Sequence, residues 1–324
     1  MEKTRNMKVL GIESTAHTLG IGIVDEEDVL ANAKDMFEPE EGGFRPREAA
    51  EHHYKSFLEV LNRAEQESGL EVSDVGAVAY SRGPGLPQCL DTGAVAARTL
   101  SLKHGVPLVG VNHCLAHISI GTRTTDAERP VTLYVSGGNT QLIFRNQGRY
   151  RVVGETLDIA VGNAVDKLAR HLDVPYPGGP EIERLAERTD EIFEASYPVK
   201  GMDFSFSGLV TELKRSHHGE EVTANTFQEH AYAALVEGLE RAMAQEDVDE
   251  ALLTGGVAMN DRLRSMIDSM CGERGADFSV PNKEFCMDNG AMIAHQGLRR
   301  LRDGDETPVS AEVLPDWRPD EVEL

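Results

Sequence analysis

Two stretches of the chain repeat one order of elements, and this repeat restricts the fold more than any other feature. The first begins at Val9 and reads VLGIESTAHTLGIGIVDEEDVLANA, and the second begins at Val131 and reads VTLYVSGGNTQLIFRNQGRYRVVGE. In each, an apolar strand stops at a small polar turn, resumes as a second strand and continues through a tight turn into a third. We interpret the repeat as a duplication in which one copy opens each of two lobes. The alternative is that any two β-hairpins look alike at this level.

Helices alternate with short strands after both copies, which predicts an α/β fold. After the first copy the pattern predicts helices at Arg47–Glu67 and Asp91–His104, strands at Val75–Tyr80 and Pro107–Val111, and a short helix that carries His113 and His117. After the second copy it predicts helices at Val161–His171, Pro180–Thr189, Ser207–His217 and Thr226–Ala244, a strand at Ala251–Thr254, a helix from Asp261 and a last helix at Asn289–Arg302. The segment 37–47, rich in Pro, Gly and charge, predicts a mobile loop. We place the lobes at 7–130 and 131–303 and an acidic tail at 304–324.

Composition narrows the class of protein. The chain has 324 residues, of which 40% are hydrophobic, enough for a sizeable core in two lobes. The four cysteines, Cys89, Cys114, Cys271 and Cys286, form no CxxC pair, so neither a disulfide framework nor a cysteine-rich zinc site is indicated. No apolar run approaches the ~20 residues that span a bilayer, and the start MEKTRNMK has no signal-peptide core. We therefore expect a soluble, cytoplasmic protein with no membrane partner.

Net charge is −23, from 32 basic and 55 acidic residues. Such a charge repels a polyanion unless local basic patches or partner subunits offset it, which argues against an autonomous nucleic-acid binder. Adaptation for solubility or habitat explains the total equally well.

Three loops rich in Gly, Ser and Thr directly follow strands: GIESTAHT from Gly11, SGGNT from Ser136 and TGGVAMN from Thr254. Glycines at strand ends let backbone N–H groups approach a phosphate, while hydroxyls and amides supply further donors. One such loop alone is more often an ordinary turn, but three in this order predict a nucleotide cleft. From these loops we take as candidate nucleotide contacts Ser14, Thr15, Asn139, Gly255 and Gly256.

The order of six motifs resembles the TsaD/OSGEP/KEOPS-type tRNA threonylcarbamoyltransferase family in its archaeal or eukaryotic form. These motifs are GIESTAHT, NHCLAH, YVSGGNTQL, DKLAR with PGGPEIE, TGGVAMN and DNGAMIA, and they span the chain from about Met7 to Gly297. The resemblance implies the two-lobed α/β fold of actin-like ATPases, sugar kinases and heat-shock chaperones (ASKHA), with nucleotide in the cleft between the lobes. Bacterial members carry a different first loop and SGGHT in the second, so roles specific to the bacterial loop do not transfer.

His113 and His117 stand at i and i+4, so on a helix both imidazoles project from one face. Spacing alone fits two half-buried or capping histidines as well as a metal site. The resemblance implies that these histidines, Tyr134 and Asp288 bind one metal ion. Imidazole and carboxylate suit zinc or iron, and a phenolate favours ferric iron. A zinc-peptidase interpretation fails because HExxH needs a glutamate after the first histidine, and position 114 is Cys114.

The resemblance also implies nucleotide contacts. It assigns the phosphates to Tyr134, Val135, Ser136, Gly137 and Gly138, and the ribose and adenine to Asp166, Gly179, Glu183 and Asn260. Without the resemblance, Asp166 and Glu183 fit a solvated helix face equally well. Glu13 differs, because a carboxylate beside phosphates is unfavourable unless it handles a proton, a metal or a nucleophile. We therefore expect Glu13 to act in catalysis.

The reaction implied is transfer of a threonylcarbamoyl group from threonylcarbamoyl-AMP to N6 of the adenosine 3′ of the tRNA anticodon. The partners implied are tRNA and three further KEOPS subunits: a kinase-like ATPase, a small dimerising subunit and another small subunit. Basic residues that tRNA could contact are Arg45, Arg47, Arg82, Lys214, Arg215, Arg262 and Arg264, each of which can equally be ordinary surface charge. Two alternatives are a regulatory or chaperone-like ATPase of the same fold and a nucleotide-stabilised binding module.

Overall fold

The computed structural model describes residues 7–38 and 45–323 and divides into two compact units. The first unit runs up to Ile120 and resumes at Met287, and the second spans Gly121–Cys286. Of the predicted mobile loop 37–47, residues 39–44 lie outside the described residues, and residues 46 and 47 belong to the first helix, so the loop prediction was wrong for these two. Within the described part, no helix combines the length and apolar character that crossing a bilayer requires.

The first unit is built on a mixed five-stranded sheet. Its strands are β1 (Val9–Glu13), β2 (Thr18–Val24), β3 (Val29–Met36), β4 (Ala77–Gly83) and β5 (Leu108–Asn112). Its first helices are α1 (Pro46–Ser68), α2 (Pro87–His104) and α3 (His113–Thr124), the last of which begins in the first unit and ends in the second. The strand order is β3-β2-β1-β4-β5; the first three strands pair antiparallel and the last two join in parallel. Every residue of β1 and β2 is buried, and most of them are apolar or glycine.

The second unit repeats this arrangement. Its strands are β6 (Val131–Val135), β7 (Thr140–Asn146), β8 (Arg149–Glu155), β9 (Val199–Lys200), β10 (Asp203–Phe204), β11 (Glu250–Thr254) and β12 (Asp277–Ser279). Its helices are α4 (Val161–His171), α5 (Gly179–Ala186), α6 (Phe206–Arg215), α7 (Glu220–Glu246), α8 (Asp261–Arg274) and α9 (Lys283–Cys286). The main sheet has the order β12-β11-β6-β7-β8. As in the first unit, the first three strands in sequence, β6, β7 and β8, pair antiparallel, and the two later strands, β11 and β12, join in parallel. The prediction that the two copies open similar units is confirmed.

The last helix, α10 (Gly290–Arg302), packs on the sheet of the first unit. Glycines permit this close approach: a Cβ on Gly290 would lie 2.1 Å from the backbone N of Gly22, and one on Gly11 would lie 2.2 Å from the N of Ala294. The observed units therefore differ from the lobes placed at 7–130 and 131–303, because α10 and the tail that follows belong to the first unit. Tertiary packing decides this assignment, and local sequence pattern carries no trace of it.

Candidate functional site

The loop after β1 folds around the carboxylate of Glu13. Oε1 of Glu13 accepts hydrogen bonds from the backbone N–H and from the hydroxyl of Thr15, both at 2.6 Å. Glu13 and Ser14 are fully buried, and the N–H of Ser14 donates to the hydroxyl of Ser81 at 3.0 Å. Both N–H groups and the Thr15 hydroxyl, expected to face a phosphate, thus have partners inside the protein.

His113 links this loop to a second group of side chains. Its Nδ1 lies 2.9 Å from Oε2 of Glu13 and 3.3 Å from the hydroxyl of Thr15. Its Nε2 lies 3.5 Å from Oδ1 of Asp288, and Nε2 of His117 lies 3.2 Å from the same oxygen. The two imidazole rings are 4.8 Å apart and nearly perpendicular. Two imidazole nitrogens and a carboxylate oxygen therefore converge, all within 4.8 Å of one another.

Asparagine caps fix the elements that carry these groups. Oδ1 of Asn112 accepts from the N–H of Leu115 at 3.2 Å at the start of α3. Oδ1 of Asn289 accepts from the N–H of Met292 at 3.0 Å at the start of α10. Such a cap satisfies a backbone N–H that the first helical turn leaves without a partner. His113 directly follows the first cap and Asp288 directly precedes the second, so both stand at defined helix ends.

Burial and charge act in opposite directions on the pKa values of this group. Burial alone lowers the pKa of His113, but the charges of Glu13 and Asp288 and the hydrogen bond to Glu13 raise it to about 9. Burial lowers the pKa of His117. Burial alone raises the pKa of Asp288, whereas the charge of His113 and the hydrogen bond with His117 hold it far below its usual range. The carboxylates of Glu13 and Asp288 thus favour a positive charge at the centre of the site, which a bound metal cation could supply.

The ligand set fits a transition metal. Imidazole nitrogen and carboxylate oxygen are ligands that zinc and iron both accept. Because Nδ1 of His113 pairs with Glu13, its Nε2 is oriented towards Asp288, as in metal sites where a carboxylate holds the distal nitrogen of a ligating histidine. Tyr134, the fourth ligand implied by the resemblance, lies on β6 of the second unit and is fully buried.

Two glycine-rich loops lie side by side in the second unit. β11 pairs in parallel with β6, with Thr254 opposite Tyr134, so both strands end at the same edge. Gly255, with φ +96°, comes so close that a Cβ would lie 2.2 Å from the carbonyl oxygen of Val135. Past Val135, the turn between β6 and β7 closes when the N–H of Ser136 donates to the carbonyl of Asn139 at 2.8 Å.

The exposed residues of these loops leave room for a ligand. Gly137, Gly138 and Gly256 are exposed, and no atom lies within 4 Å of the position that a Cβ would take on any of them. A bulky group can therefore approach their backbone closely. The Ser136 hydroxyl accepts from the N–H of Asn139 at 3.0 Å, which holds the turn in place.

The residues assigned to ribose and adenine form two local arrangements in the second unit. Oδ1 of Asp166, on α4, accepts from the N–H of Gly178 at 3.0 Å and so anchors the segment that leads into α5 at Gly179. Because Gly179 directly follows Gly178, the carboxylate of Asp166 also helps to position Gly179.

Glu183 and Asn260 meet at the start of α8. Oε1 of Glu183 accepts from the N–H of Asp261 at 2.6 Å, and burial raises the pKa of Glu183. Oδ1 of Asn260 caps α8 by accepting from the N–H of Leu263 at 2.9 Å, and its Nδ2 donates to Gln228 at 3.1 Å. Asn260 therefore has a structural task that the sequence analysis did not assign to it.

Several residues that shape the sites were missed from the sequence. The caps Asn112 and Asn289 carry a recognisable signal, since each stands at the start of a predicted helix. The pairing of Glu13 with His113 joins residues 100 positions apart, and no local pattern could have found it. In the second unit, Asp158 caps α6 by accepting from the N–H groups of Phe206 and Ser207 at 2.9 and 3.1 Å.

Most of the basic residues considered for tRNA have intramolecular partners. The guanidinium of Arg262 contacts Glu229 at 2.6 Å, and that of Arg264 donates to the carbonyl of Ala258 at 2.6 Å. Arg45 pairs with Glu48 at 3.0 Å and Arg82 donates to the carbonyl of Glu312 at 2.8 Å. These contacts favour structural roles for the four arginines.

Two α/β units with the same strand order define the class of protein. Full-length HypF aligns with a TM-score of 0.64 at 10% identity, covering 93% of this chain and 47% of that one. The ROK hexokinase from Thermus thermophilus aligns with a TM-score of 0.55 at 17% identity, covering 92% and 100%. The chain thus has the fold of the actin-like ATPase, sugar kinase and heat-shock chaperone class, as predicted.

Sequence comparison narrows the class to one family. The family profile described as TsaD, tRNA N6-adenosine threonylcarbamoyltransferase, matches residues 27–295. The enzyme of that name from Archaeoglobus fulgidus is 51% identical over 322 residues, which cover 98% of this chain and 99% of the relative. The chain belongs to the tRNA N6-adenosine threonylcarbamoyltransferase family. A "probable bifunctional tRNA threonylcarbamoyladenosine biosynthesis protein" from Methanothermobacter thermautotrophicus is 50% identical over 98% of this chain, which matches 60% of that relative.

Proposed function

We propose that this chain transfers a threonylcarbamoyl group from threonylcarbamoyl-AMP to N6 of the adenosine 3′ of the anticodon, in tRNAs that read codons beginning with adenine. The observation that carries the proposal is the 51% identity, over nearly the whole of both chains, to a relative named for this reaction. The convergence of His113, His117 and Asp288 supports it, because a kinase or chaperone-like ATPase has no need of such a group.

The chemistry determines what the residues must do. The exocyclic amine of adenine is a poor nucleophile, since its lone pair is delocalised into the ring. The donor is a mixed anhydride, so its carbonyl carbon is electrophilic and AMP is a good leaving group. The amine nitrogen forms a bond to that carbon, the bond from the carbon to the phosphate oxygen breaks, and the amine loses a proton. The protein must therefore orient both substrates, stabilise the oxyanion and accept that proton.

We assign the metal site to His113, His117 and Asp288, with Tyr134 as the fourth ligand and iron as the expected ion; zinc is the alternative. A metal ion bound there supplies a Lewis acid that polarises the carbonyl of the threonylcarbamoyl group. The protein's part is to hold Nε2 of His113 deprotonated and aimed at the site, through the contact of Nδ1 with Glu13. Glu13 is buried and touches His113, which supports an orienting role; direct proton transfer by Glu13 stays a prediction.

We assign the AMP part of the donor to the second unit. The open backbone of Gly137, Gly138 and Gly256 supports phosphate binding there, since no side chain blocks approach. Asp166 and Glu183 are proposed to accept the ribose hydroxyls, because a carboxylate that already accepts from a backbone N–H can accept further hydrogen bonds.

We propose that partner proteins complete the tRNA-binding surface, because the chain carries a net charge of −23. Helices α1 and α2 pack together and carry apolar side chains that are more than half exposed, namely Tyr54, Leu58, Val95 and Leu102. Exposed apolar groups on adjacent helices support a protein partner. The partners proposed are the KEOPS kinase-like ATPase, dimerising subunit and further small subunit, in the cytoplasm. The relative named bifunctional, in which other sequence adjoins a region like this chain, supports a multi-component system.

The test is mass-spectrometric nucleoside analysis of tRNA incubated with the protein, its candidate partners and threonylcarbamoyl-AMP. Threonylcarbamoyladenosine should appear only with the protein and should fall at least about tenfold in His117→Ala. The matched control is His171→Ala, at an exposed histidine on α4. If no product forms although the partners are active, the regulatory ATPase becomes the favoured alternative. It predicts that the wild-type protein hydrolyses ATP.

A further inference from the structure

The tail (residues 304–324, described to 323) is bound along β4 and β5. The N–H of Thr307 donates to the carbonyl of Leu108, and its hydroxyl accepts from the N–H of Gly110, both at 2.8 Å. Further along, the N–H of Leu314 donates to the carbonyl of Arg82 at 2.8 Å. The tail therefore forms part of the first unit, although it lies beyond the motifs that identify the family.

Trp317 anchors the end of this segment. The guanidinium carbon of Arg82 lies 5.7 Å from the centre of the indole ring, and that of Arg300 lies 5.9 Å from it. Both distances fall within the range of cation–π attraction. Arg300 also donates to the carbonyl of Gly110 at 2.8 Å, so the indole is held by side chains that are themselves fixed.

The carbonyl of Trp317 reaches the cap of the helix that carries the histidines. Nδ2 of Asn112 donates to this carbonyl at 3.0 Å, while Oδ1 of the same amide caps α3. Asn112 is buried, and His113 is the next residue. The amide thus has two fixed partners, and the one outside α3 belongs to the tail.

A second contact reaches the other side of the site. The carbonyl of Pro315 accepts from the N–H of Gly85 at 2.9 Å. A Cβ on Gly85 would lie 2.8 Å from Thr15, and the N–H of Leu86 donates to the carbonyl of Thr15 at 2.8 Å. Thr15 contacts both Glu13 and His113, so the tail supports the site through two separate routes.

We infer that the tail is a strap that positions the metal site, with Asn112 and Trp317 as positioning residues for His113. The inference rests on the proposed metal site. Residues that orient a ligand from outside the coordination shell commonly affect metal affinity by about 10- to 100-fold, and the tail acts at one further remove, through the cap. It also gives the tail a task, which its sequence alone did not suggest.

The test measures Co²⁺ binding to the full-length chain, by competition with a chromophoric chelator and by the visible absorption bands of bound Co²⁺. Asn112→Asp keeps an oxygen to cap α3 but replaces the donor to Trp317 with an acceptor, and Trp317→Ala removes the indole. We expect each variant to bind Co²⁺ about tenfold more weakly, with shifted absorption bands. Trp317→Phe keeps an aromatic ring between the arginines and should restore most of the affinity.

Two controls separate positioning from loss of stability. Leu61→Ala removes core packing on α1 and should lower the melting temperature without changing the Co²⁺ bands. Trp317 is the chain's single tryptophan, so its emission reports release of the tail in Asn112→Asp. Unchanged Co²⁺ affinity and bands in Asn112→Asp would overturn the inference, whether or not the emission shifts. Failure of the wild type to bind Co²⁺ would instead overturn the metal site of the proposed function, and the inference with it.

Discussion

Replacing Glu13 with glutamine tests how the proposed metal site is held together. The substitution keeps the shape of the side chain and exchanges one carboxylate oxygen for an NH₂ group. The remaining oxygen can still accept both hydrogen bonds from Thr15, which places the NH₂ group opposite Nδ1 of His113. An NH₂ group only donates, so Nδ1 must become the acceptor and the ring proton must move to Nε2. Nε2 is the nitrogen that faces Asp288, and a protonated nitrogen cannot bind a metal.

The expected cost follows from this change of tautomer. Loss of a carboxylate that orients a ligating histidine weakens metal binding about 10- to 100-fold, which corresponds to roughly 1.4 to 2.8 kcal/mol. We expect Glu13→Gln to bind Zn²⁺ and Fe²⁺ more weakly by this factor at neutral pH. Isothermal titration or chelator competition measures it, with the exposed Glu59→Gln on α1 as the control.

The same variant separates orientation from catalysis by Glu13. If Glu13 only orients His113, a saturating metal concentration should restore much of the rate of tRNA modification. If Glu13 also transfers a proton, kcat should stay low at saturating metal. Metal affinity equal to that of the wild type would refute the argument from the tautomer, because the hydrogen bond to Nδ1 would then have no influence on Nε2.

Three further predictions concern stability and assembly. Burial lowers the pKa of His53 from 6.5 to about 4. Between these pH values the unfolded chain therefore binds more protons than the folded protein, and the free energy of unfolding falls by about 3 kcal/mol as the pH drops through this window. Urea unfolding of His53→Gln should show a shallower pH dependence. Gly290→Ala should lower the free energy of unfolding by at least about 2 kcal/mol, because the added Cβ would clash with the backbone of Gly22. Thermal unfolding measures this, and the control Gly272→Ala, on α8 with open space around it, should be neutral or stabilising. Leu58→Glu should leave the melting temperature unchanged and reduce co-purification with the partner subunits; an equal yield of complex would exclude α1 as a contact.

Much of the fold could be predicted because its signals are local. Helix α4 spans the predicted residues 161–171, and α1 differs from the predicted helix by one residue at each end. Periodic apolar positions and glycine caps carry this information. Strand β12, of only three residues, and α9, of only four, were not predicted, because segments this short take their conformation from their neighbours.

The candidate site was predictable only in part. The spacing of His113 and His117 placed both rings on one face of a helix, but Asp288 lies 171 residues further along, and the resemblance to a family supplied it. The internal partners of the Ser14 N–H and of the Thr15 hydroxyl were unforeseen, because a donor in a glycine-rich loop looks the same in the sequence whether its partner is a phosphate or a neighbouring side chain. Long-range pairing is settled by packing, and a single sequence does not record it.

The position of α10 has a consequence for how the chain is made. The second unit is continuous in sequence, so all of its strands have been synthesised before α10. The sheet of the first unit, in contrast, stays uncovered where Gly11 and Gly22 receive α10, and Asp288 arrives together with that helix. A nascent chain therefore cannot assemble the group of His113, His117 and Asp288 before residue 288 has been added, and a chain released earlier lacks one member of the proposed metal site.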